Sequence, residues 1–213
     1  YNFIMTAELV SITSPLPGGP ASDIVGPENL ISYVARVSNP ENQMKQGSGL
    51  IKFLIKHKHW SPFEMVDATF SIKTSRAIAA QILRHRSFSF QEFSQRYSPV
   101  AENTDLEMRK NGAKNRQSST DIVTDPDVNE KVKQVTDKCF ELYDELLEKG
   151  VAKETARMVL PLSCETHIYM KGSIRSWIHY LELRCAENTQ KEHRVIAEQI
   201  RDILKDYLPN IIS

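Results

Sequence analysis

No apolar run in this 213-residue chain is long enough to cross a bilayer, and no charged, apolar and small-residue succession opens it. Without a membrane span or a cleavable leader, the sequence reads as a cytoplasmic protein that needs no membrane. Cysteine is scarce. Cys139, Cys164 and Cys185 form an odd set without CxxC spacing, which excludes a disulfide framework, gives no thiolate metal site and fits free thiols in a reducing compartment. Net charge is missing too, with 27 Lys+Arg against 27 Asp+Glu. That balance excludes a globally basic nucleic-acid binder and an acidic disordered tail. A glycine-rich phosphate loop and repeated βαβ units are also absent, which removes the P-loop and dinucleotide-fold readings.

What is present is unevenly distributed. Ile72 to Ser118 carries nine Lys/Arg against four acids, and Ser119 to Gly150 nine acids against four Lys. A basic middle and an acidic segment therefore cancel, so any anion site is local, although two solvated faces would give the same counts. The length suits one domain over 1–213, in which 1–5 is a disordered or added start and Met5 a natural first residue.

Ala7 to Thr13 reads as a first strand, ended by the Pro/Gly-rich loop Ser14 to Gly26. Pro27 suits the first turn of a helix continuing on Leu30, Tyr33, Val34 and Val37, and a second helix runs over Leu50 to Lys58. Met65 to Ile72 alternates like a half-buried strand. Ser75 can cap a helix over Arg76 to Leu83, which is apolar almost all round and so expected to be buried. Asn103 to Ser119 reads as a long polar loop. Asp125-Pro126 opens a helix on which Val128, Val132, Val135, Cys139, Leu142 and Leu146 form a seam, packed within the chain or against another subunit. A short helix through Arg157 stops at Pro161, and Cys164 to Met170 is strand-like. Ile174 to Arg184 is helical on Ile174, Trp177, Ile178 and Leu181, and the last helix shows Ile196, Ile200, Ile203, Leu204 and Tyr207 on one face. The expected fold is α+β, a single domain with a small, mostly antiparallel sheet flanked by helices.

The densest polar feature runs from Gln81 through Arg84-His85-Arg86, Ser87, Ser89, Gln91, Glu92, Ser94 and Gln95 to Arg96, interleaved with Phe88, Phe90 and Phe93. Three arginines and a histidine this close repel one another unless anions or carboxylates lie between them. Arginine forks and serine hydroxyls suit a phosphate. The same residues are also satisfied if Arg84 and His85 face the carbonyl end of the helix and Arg96 pairs with Glu92.

Arg84 to Arg96 fits the RHRxxSxxxxSxR signature at every fixed position, and in this the chain resembles the flavin-dependent thymidylate synthases. His59-Trp60-Ser61-Pro62-Phe63-Glu64, Ala156-Arg157-Met158-Val159-Leu160-Pro161 and Arg175 to Arg184 resemble further segments of that family in the same order. Lys114-Asn115-Arg116-Gln117-Ser118 resembles its basic substrate loop. Ser173 and Asn188 stand where some members have Asn and His.

The resemblance implies reductive methylation of dUMP to dTMP, with methylenetetrahydrofolate as one-carbon donor, FAD as cofactor and NADPH as the reductant that recharges it. It implies a homotetramer with active sites shared between subunits. By match to the motifs, Gln81, Arg84, Glu92, Phe93, Ser94, Gln95, Arg96, Arg157 and Arg184 bind dUMP. His59, Ser61, Arg84, His85, Arg86, Glu92, Ser173, Ile174, Arg175 and His179 line the flavin, and Arg184 is catalytic.

Residue chemistry points the same way for Arg184. It falls seven residues after Trp177 on the inward stripe of its helix, where a guanidinium needs a buried partner. There it would stabilise negative charge on the N3/O2 edge of uracil. The cysteines lack an adjacent base in sequence and read as core thiols, so the chemistry is expected to run without a cysteine nucleophile. Two other classes remain open from sequence: a nucleic-acid-binding module using the basic and aromatic 73–116 stretch, and a coiled-coil interaction protein built on the Val128 to Leu146 seam.

Overall fold

The computed structural model describes residues 5–100, 103–104, 106–113 and 118–212. In chain order these form β1 (Thr6–Ile12), α1 (Pro27–Ala35), α2 (Ser48–Lys56), β2 (Asp67–Ser75), α3 (Arg76–Ile82), β3 (Ser89–Glu92), β4 (Arg109–Asn111), β5 (Ser119–Ile122), α4 (Pro126–Glu148), α5 (Lys153–Ala156), β6 (Glu165–Ser173), α6 (Ile174–Arg184) and α7 (Lys191–Tyr207), with a 3-10 turn over Ser61–Met65. Four strands pair in the order β1-β2-β6-β3, every neighbour antiparallel, and β4 pairs with β5 as a separate antiparallel ribbon. The mixed α/β layout with a small antiparallel sheet is the one the sequence implied. No helix among the described residues is long and apolar enough to cross a membrane.

The pairing of β2 with β6 positions the rest. Side chains alternate faces along a strand, so Ala68, Phe70 and Ile72 of β2 are buried together with Ile168 and Met170 of β6. The register sets Phe70 opposite Met170 and Ile72 opposite Ile168. Each strand ends in a serine that starts a helix. The Ser75 hydroxyl accepts the Ile78 N–H and the Ser173 hydroxyl accepts the Ser176 N–H, both at 3.3 Å, and such caps are worth about 1 kcal/mol each. Because the strands are antiparallel from Asp67↔Ser173 to Ser75↔Glu165, α3 and α6 start at opposite ends of the sheet.

Helix α6 buries Ile174, Trp177, Tyr180 and Leu181, while α7 adds Ile196, Ala197, Ile200 and Leu204 to the same core. The Trp177 indole N–H donates to the Ala68 carbonyl at 3.1 Å, so this buried ring leaves no polar atom orphaned.

Several elements differ from the periodicity. Helix α3 buries Ile78, Ala79 and Ile82 but leaves Ala80 and Leu83 exposed; it lies on one side of the sheet, and an apolar composition does not by itself supply a partner for the outer face. The second strand begins at Asp67, because Met65 belongs to the 3-10 turn. The expected loop 103–119 contains β4 and the start of β5, a ribbon pinned by ions rather than by apolar alternation: Arg109 pairs with Glu107 at 2.8 Å and with Glu192 of α7 at 2.6 Å. Residues 114–117 of the expected basic loop, and residues 1–4, lie outside the described residues. Strand β3 lies inside the arginine-rich motif, too short at four residues to show a period. The α4 seam splits. Val128, Val135 and Leu142 are exposed, Val135 by 62%, and the helix turns Thr136 and Tyr143 inward instead. The Tyr143 hydroxyl accepts the Val100 N–H at 3.3 Å.

One contact ties the motif to the sheet. Phe88 is buried with its ring edge-on to Trp177, centroids 4.7 Å apart. It lies over Gly172 of β6, where an added Cβ would come within 2.4 Å of the Phe88 ring. Gly172→Ala should therefore lower stability by about 1–3 kcal/mol through overpacking, and pairing it with Phe88→Leu should recover part of that loss in denaturant unfolding. Simple additivity of the two substitutions would show that the ring does not rest on this glycine.

Candidate active site

Side chains named from the sequence gather at three places. The first lies where α3 and α6 end and α7 begins. Arg184, half-buried, donates from Nε to Nε2 of His85 at 2.9 Å. Its partner is thus a histidine of the motif, half-buried like Arg184 rather than buried as the inward position implied. Gln81 bonds through Oε1 to Nδ1 of His193 at 3.3 Å and donates from Nε2 to Oε1 of Gln190 at 2.7 Å. His193, wholly buried, reaches the Tyr180 hydroxyl through Nε2 at 3.1 Å, and Tyr180 meets the His85 ring edge-on at 4.9 Å.

Burial, then the Arg184 charge, lowers the pKa of His85 to about 4. Burial, then Arg184 and His85, lowers that of His193 to about 3, and burial pushes the Tyr180 phenol up. All three are therefore neutral near pH 7, and a neutral His85 can accept from Arg184 without competing for the same anion.

The second place is the start of α6. The Ser173 hydroxyl donates to Oε2 of Glu64 at 2.6 Å and Arg175 donates to Oε1 at 2.8 Å; the Ser173 bond first of all, with Arg175 adding to it, holds the Glu64 carboxyl below its usual range. The Ser176 hydroxyl donates to the Ser87 carbonyl at 3.3 Å, which fastens the Arg84 to Ser87 turn to this helix. Trp60 packs edge-on against His179, centroids 5.2 Å apart, with His59 and Ser61 exposed on either side of it. Ile174 is wholly buried, so a ligand here could meet only its backbone.

The third place is the start of α3. Arg76 pairs with Oε1 of Glu92 at 2.6 Å, and Thr166 donates to the same oxygen at 3.0 Å. Gln95 is buried and donates to the Cys164 sulfur at 3.4 Å. Arg76, Gln95, Arg157 and Cys164 share a cavity of about 280 Å³. Ser94 and Arg96 are exposed on the turn beside it, and Phe93 is at its rim of exposure at 36%.

The expected nucleotide residues are therefore divided. Gln81, Arg84 and Arg184 lie at one end of α3, and Glu92 to Arg96 with Arg157 at the other, separated by the length of a seven-residue helix, about 10 Å at 1.5 Å per residue. Glu64, Arg76, Tyr180 and His193 were not picked out from sequence. His193 had a signal, three residues before Ile196 on the inward stripe of α7, whereas Arg76 and Glu92 meet only through the β3–β6 pairing.

Among the described residues, Arg84, Arg86 and Arg96 have no ion-pair partner, although Arg76 and Arg109 are paired with the chain's own acids. Three exposed arginines without carboxylates, with serine hydroxyls beside them, are the donor set a pyrophosphate or phosphate ester needs, so the residues present fit a flavin dinucleotide. A nucleic-acid platform fits less well, because Phe88 is buried and Phe90 packs against the core. Burial pushes the Cys164 and Cys185 thiols up, which leaves neither poised as a thiolate. No group of three or more His, Cys, Asp or Glu among the described residues could hold a metal.

An α+β fold with a divided cationic site at both ends of one short helix marks an enzyme for small anionic ligands. The thymidylate synthase complementing protein family model matches residues 22–210, and the chain belongs to that family, the flavin-dependent thymidylate synthases. It is 49% identical over 213 residues to a probable flavin-dependent thymidylate synthase of Paramecium bursaria Chlorella virus 1, covering 97% of each chain. It is 48% identical to the flavin-dependent thymidylate synthase of Synechocystis, covering 98% of each. Its fold is similar to the crystal structure of the UMP/dUMP methylase PolB from Streptomyces cacaoi bound with 5-Br dUMP, with a TM-score of 0.83, 26% identity, and coverage of 99% of this chain and 94% of that one.

The depressed histidines make stability depend on pH. The unfolded chain binds protons near pH 6.5 that folded His193 and His85 refuse until about 3 and about 4, so stability is full above pH 7 and falls as pH drops below 6.5. Between pH 7.5 and 5 the buried His193 should account for about 2 kcal/mol and the more accessible His85 for less. Denaturant unfolding at the two pH values measures this, and His193→Phe should flatten the profile.

Proposed function

We propose that this chain converts dUMP to dTMP, taking the one-carbon unit from methylenetetrahydrofolate and the reducing equivalents from FAD that NADPH recharges, in the cytoplasm. The observation that carries the reading is Arg184 seated on neutral His85, beside Gln81 and the unpaired Arg84.

Arg184 presents a half-buried guanidinium where α3 and α6 end. With its Nε held by His85, its terminal nitrogens are left to meet the N3/O2 edge of uracil. Negative charge gathering there is stabilised by a fixed cation in a low-dielectric site, and this electron shift makes C5 the nucleophilic carbon without a thiol added at C6. Ser94, Arg96 and Arg157 supply hydroxyl and guanidinium donors for the phosphate, with Gln95 walling the cavity and Phe93 on the exposed turn beside it. Glu92, already neutralised by Arg76, can lie near that phosphate without repelling it. Arg84 and Arg86 meet the flavin pyrophosphate. His59, Ser61, His85, Glu92, Ser173, Ile174 through its backbone, Arg175 and His179 complete the flavin wall. The bound flavin supplies the reducing equivalents.

The proposed enzyme is a homotetramer with shared sites, a reading that the same division supports. One dUMP joins the phosphate residues of one subunit to the Gln81 and Arg184 end of another. In support, Tyr97, Met158 and Leu162 beside the phosphate cavity are exposed by 84%, 78% and 73%, a set of large apolar side chains suited to an interface.

Arg184→Ala should lower kcat by about 10²–10³-fold, the loss seen when one oxyanion-type donor is removed, with little change in melting temperature; near-normal dUMP-dependent NADPH oxidation would remove Arg184 from the chemistry. Replacing Cys139, Cys164 and Cys185 together by serine should leave turnover within about threefold in protein that folds, and a folded but inactive triple variant would restore a thiol mechanism.

A further inference from the structure

Most polar side chains around Arg184 have a place in that reaction. His193 does not, although it is wholly buried and hydrogen-bonded on both nitrogens. A neutral imidazole carries one N–H and one bare nitrogen, and its neighbours decide which is which. The Tyr180 hydroxyl is buried and its one hydrogen-bond partner among the described residues is His193 Nε2 at 3.1 Å, so its hydrogen goes to Nε2, which is therefore bare, rather than being left unpaired. Nδ1 then carries the ring hydrogen and can only donate, which requires Gln81 to present Oε1 to it, at 3.3 Å. That assignment propagates to Gln81. A glutamine amide can present either its oxygen or its nitrogen, and with Oε1 taken by His193 the NH₂ end is what remains. One of its hydrogens goes to Gln190 at 2.7 Å, and the other is free to face a ligand.

We propose that His193 is a positioning residue that locks the Gln81 amide with a donor toward the pyrimidine, so that the site selects a 4-oxo base over a 4-amino base. The inference rests on the reading of this site as a dUMP site. Uracil has three polar edge atoms in the plane of its ring: O2, N3 and O4. Arg184 takes the N3/O2 edge in that reading, so O4 is the atom left for Gln81. A cytosine would place its amino group there, donor against donor, with both groups desolvated and unpaired. A site that hydrogen-bonds one group in this way rejects the analogue lacking it far better than a site that judges by size. If Gln81 were free to turn over, its oxygen would accept from the amino group and the rejection would be lost. Tyr180 completes the lock, because its hydroxyl leaves His193 no reason to move the hydrogen to Nε2. The depressed pKa of His193 agrees, since a protonated ring would lose the acceptor that Tyr180 uses.

The test is calorimetric binding of dUMP and dCMP to the FAD-supplemented protein, read as the ratio of the two dissociation constants, with melting temperature measured alongside. Wild type should prefer dUMP by about a hundredfold. His193→Phe, which keeps a ring in the core but no nitrogens, should reduce that preference about tenfold or more. A merely structural role would lower both affinities or the melting temperature together and leave the ratio alone, and an unchanged ratio in folded His193→Phe overturns the proposal. Should that variant not fold, Tyr180→Phe decides: without the hydroxyl His193 can carry its hydrogen on either nitrogen and Gln81 can turn over, so the dUMP preference must fall by about tenfold, and an unchanged ratio overturns the proposal. Failure of wild type to bind dUMP at all would instead overturn the dUMP reading of the site.

Discussion

The antiparallel pairing of β2 with β6 is the constraint on which the other elements depend. Its nine-residue register, Asp67↔Ser173 to Ser75↔Glu165, sets two strands side by side so that each leads directly into a helix. The serine hydroxyl at each junction accepts one N–H of the first helical turn, a group that a helix start otherwise leaves without an intrahelical partner. Since the strands oppose one another, the helices do as well. The residues proposed to bind anions lie near an end of α3 or α6, where turns expose backbone and side chains without breaking the sheet. Gly172 adds the one close approach. Its missing side chain lets Phe88 settle on β6, and Phe88 carries with it Arg84, His85 and Arg86 on one side and β3 on the other.

The electrostatics of the Arg184 pocket follow from neutral partners. A carboxylate beside Arg184 would hold it firmly but would cancel the charge the reaction uses, and would repel an anionic ligand. His85 and His193, kept unprotonated by burial and by Arg184 itself, supply hydrogen bonds while leaving the positive charge intact. The other two places work differently. Glu64 is bonded to Ser173 and Arg175, and Glu92 to Arg76 and Thr166, so both carboxylates among the residues proposed to meet phosphates are already paired with a cation of their own chain. The surface pairs along α4 are another matter: Lys131–Asp127 and Lys133–Asp137 are solvent-exposed i,i+4 pairs, which water and salt screen.

The helices and the core strands were legible in the sequence where burial imposed a period. Pro27, Ser75, Asp125 and the stripe from Ile174 to Leu181 each mark an element that the structure contains. Periodicity failed where something other than apolar burial holds an element. The β4–β5 ribbon depends on Arg109 meeting Glu192, eighty-three residues away, and such a pairing leaves no local pattern. The α4 seam failed for the opposite reason. Its spacing is regular, yet the chain turns Thr136 and Tyr143 inward, and the exposed Val135 and Leu142 show that spacing identifies an apolar face without identifying its partner. The site was legible as a motif and not as a place. Arg84 to Arg96 could be read as one anion-binding run, but β3 leaves Arg84 and Arg96 at different stations, a separation only the fold defines.

The zero net charge takes on a different meaning once the cations are sorted by what they touch. Arg76, Arg109, Arg175 and Lys191 are matched to carboxylates within the chain, so they neutralise structure. Arg84, Arg86 and Arg96 are matched to none among the described residues. Each unmatched arginine is exposed and each lies in the one segment that Phe88 anchors, so the repulsion among them is borne by the β3–β6 pairing and by burial of a phenylalanine, not by counter-charges. A phosphate or pyrophosphate arriving there relieves that repulsion and finds donors already in place, which gives local affinity without a global field. The acidic excess on α4 keeps the total at zero without entering the site, because its carboxylates are exposed on a helix whose buried contacts are Thr136 and Tyr143. Charge balance in this protein is thus a property of the whole chain, whereas the proposed anion binding belongs to arginines at the two ends of α3, in the segment that Phe88 anchors.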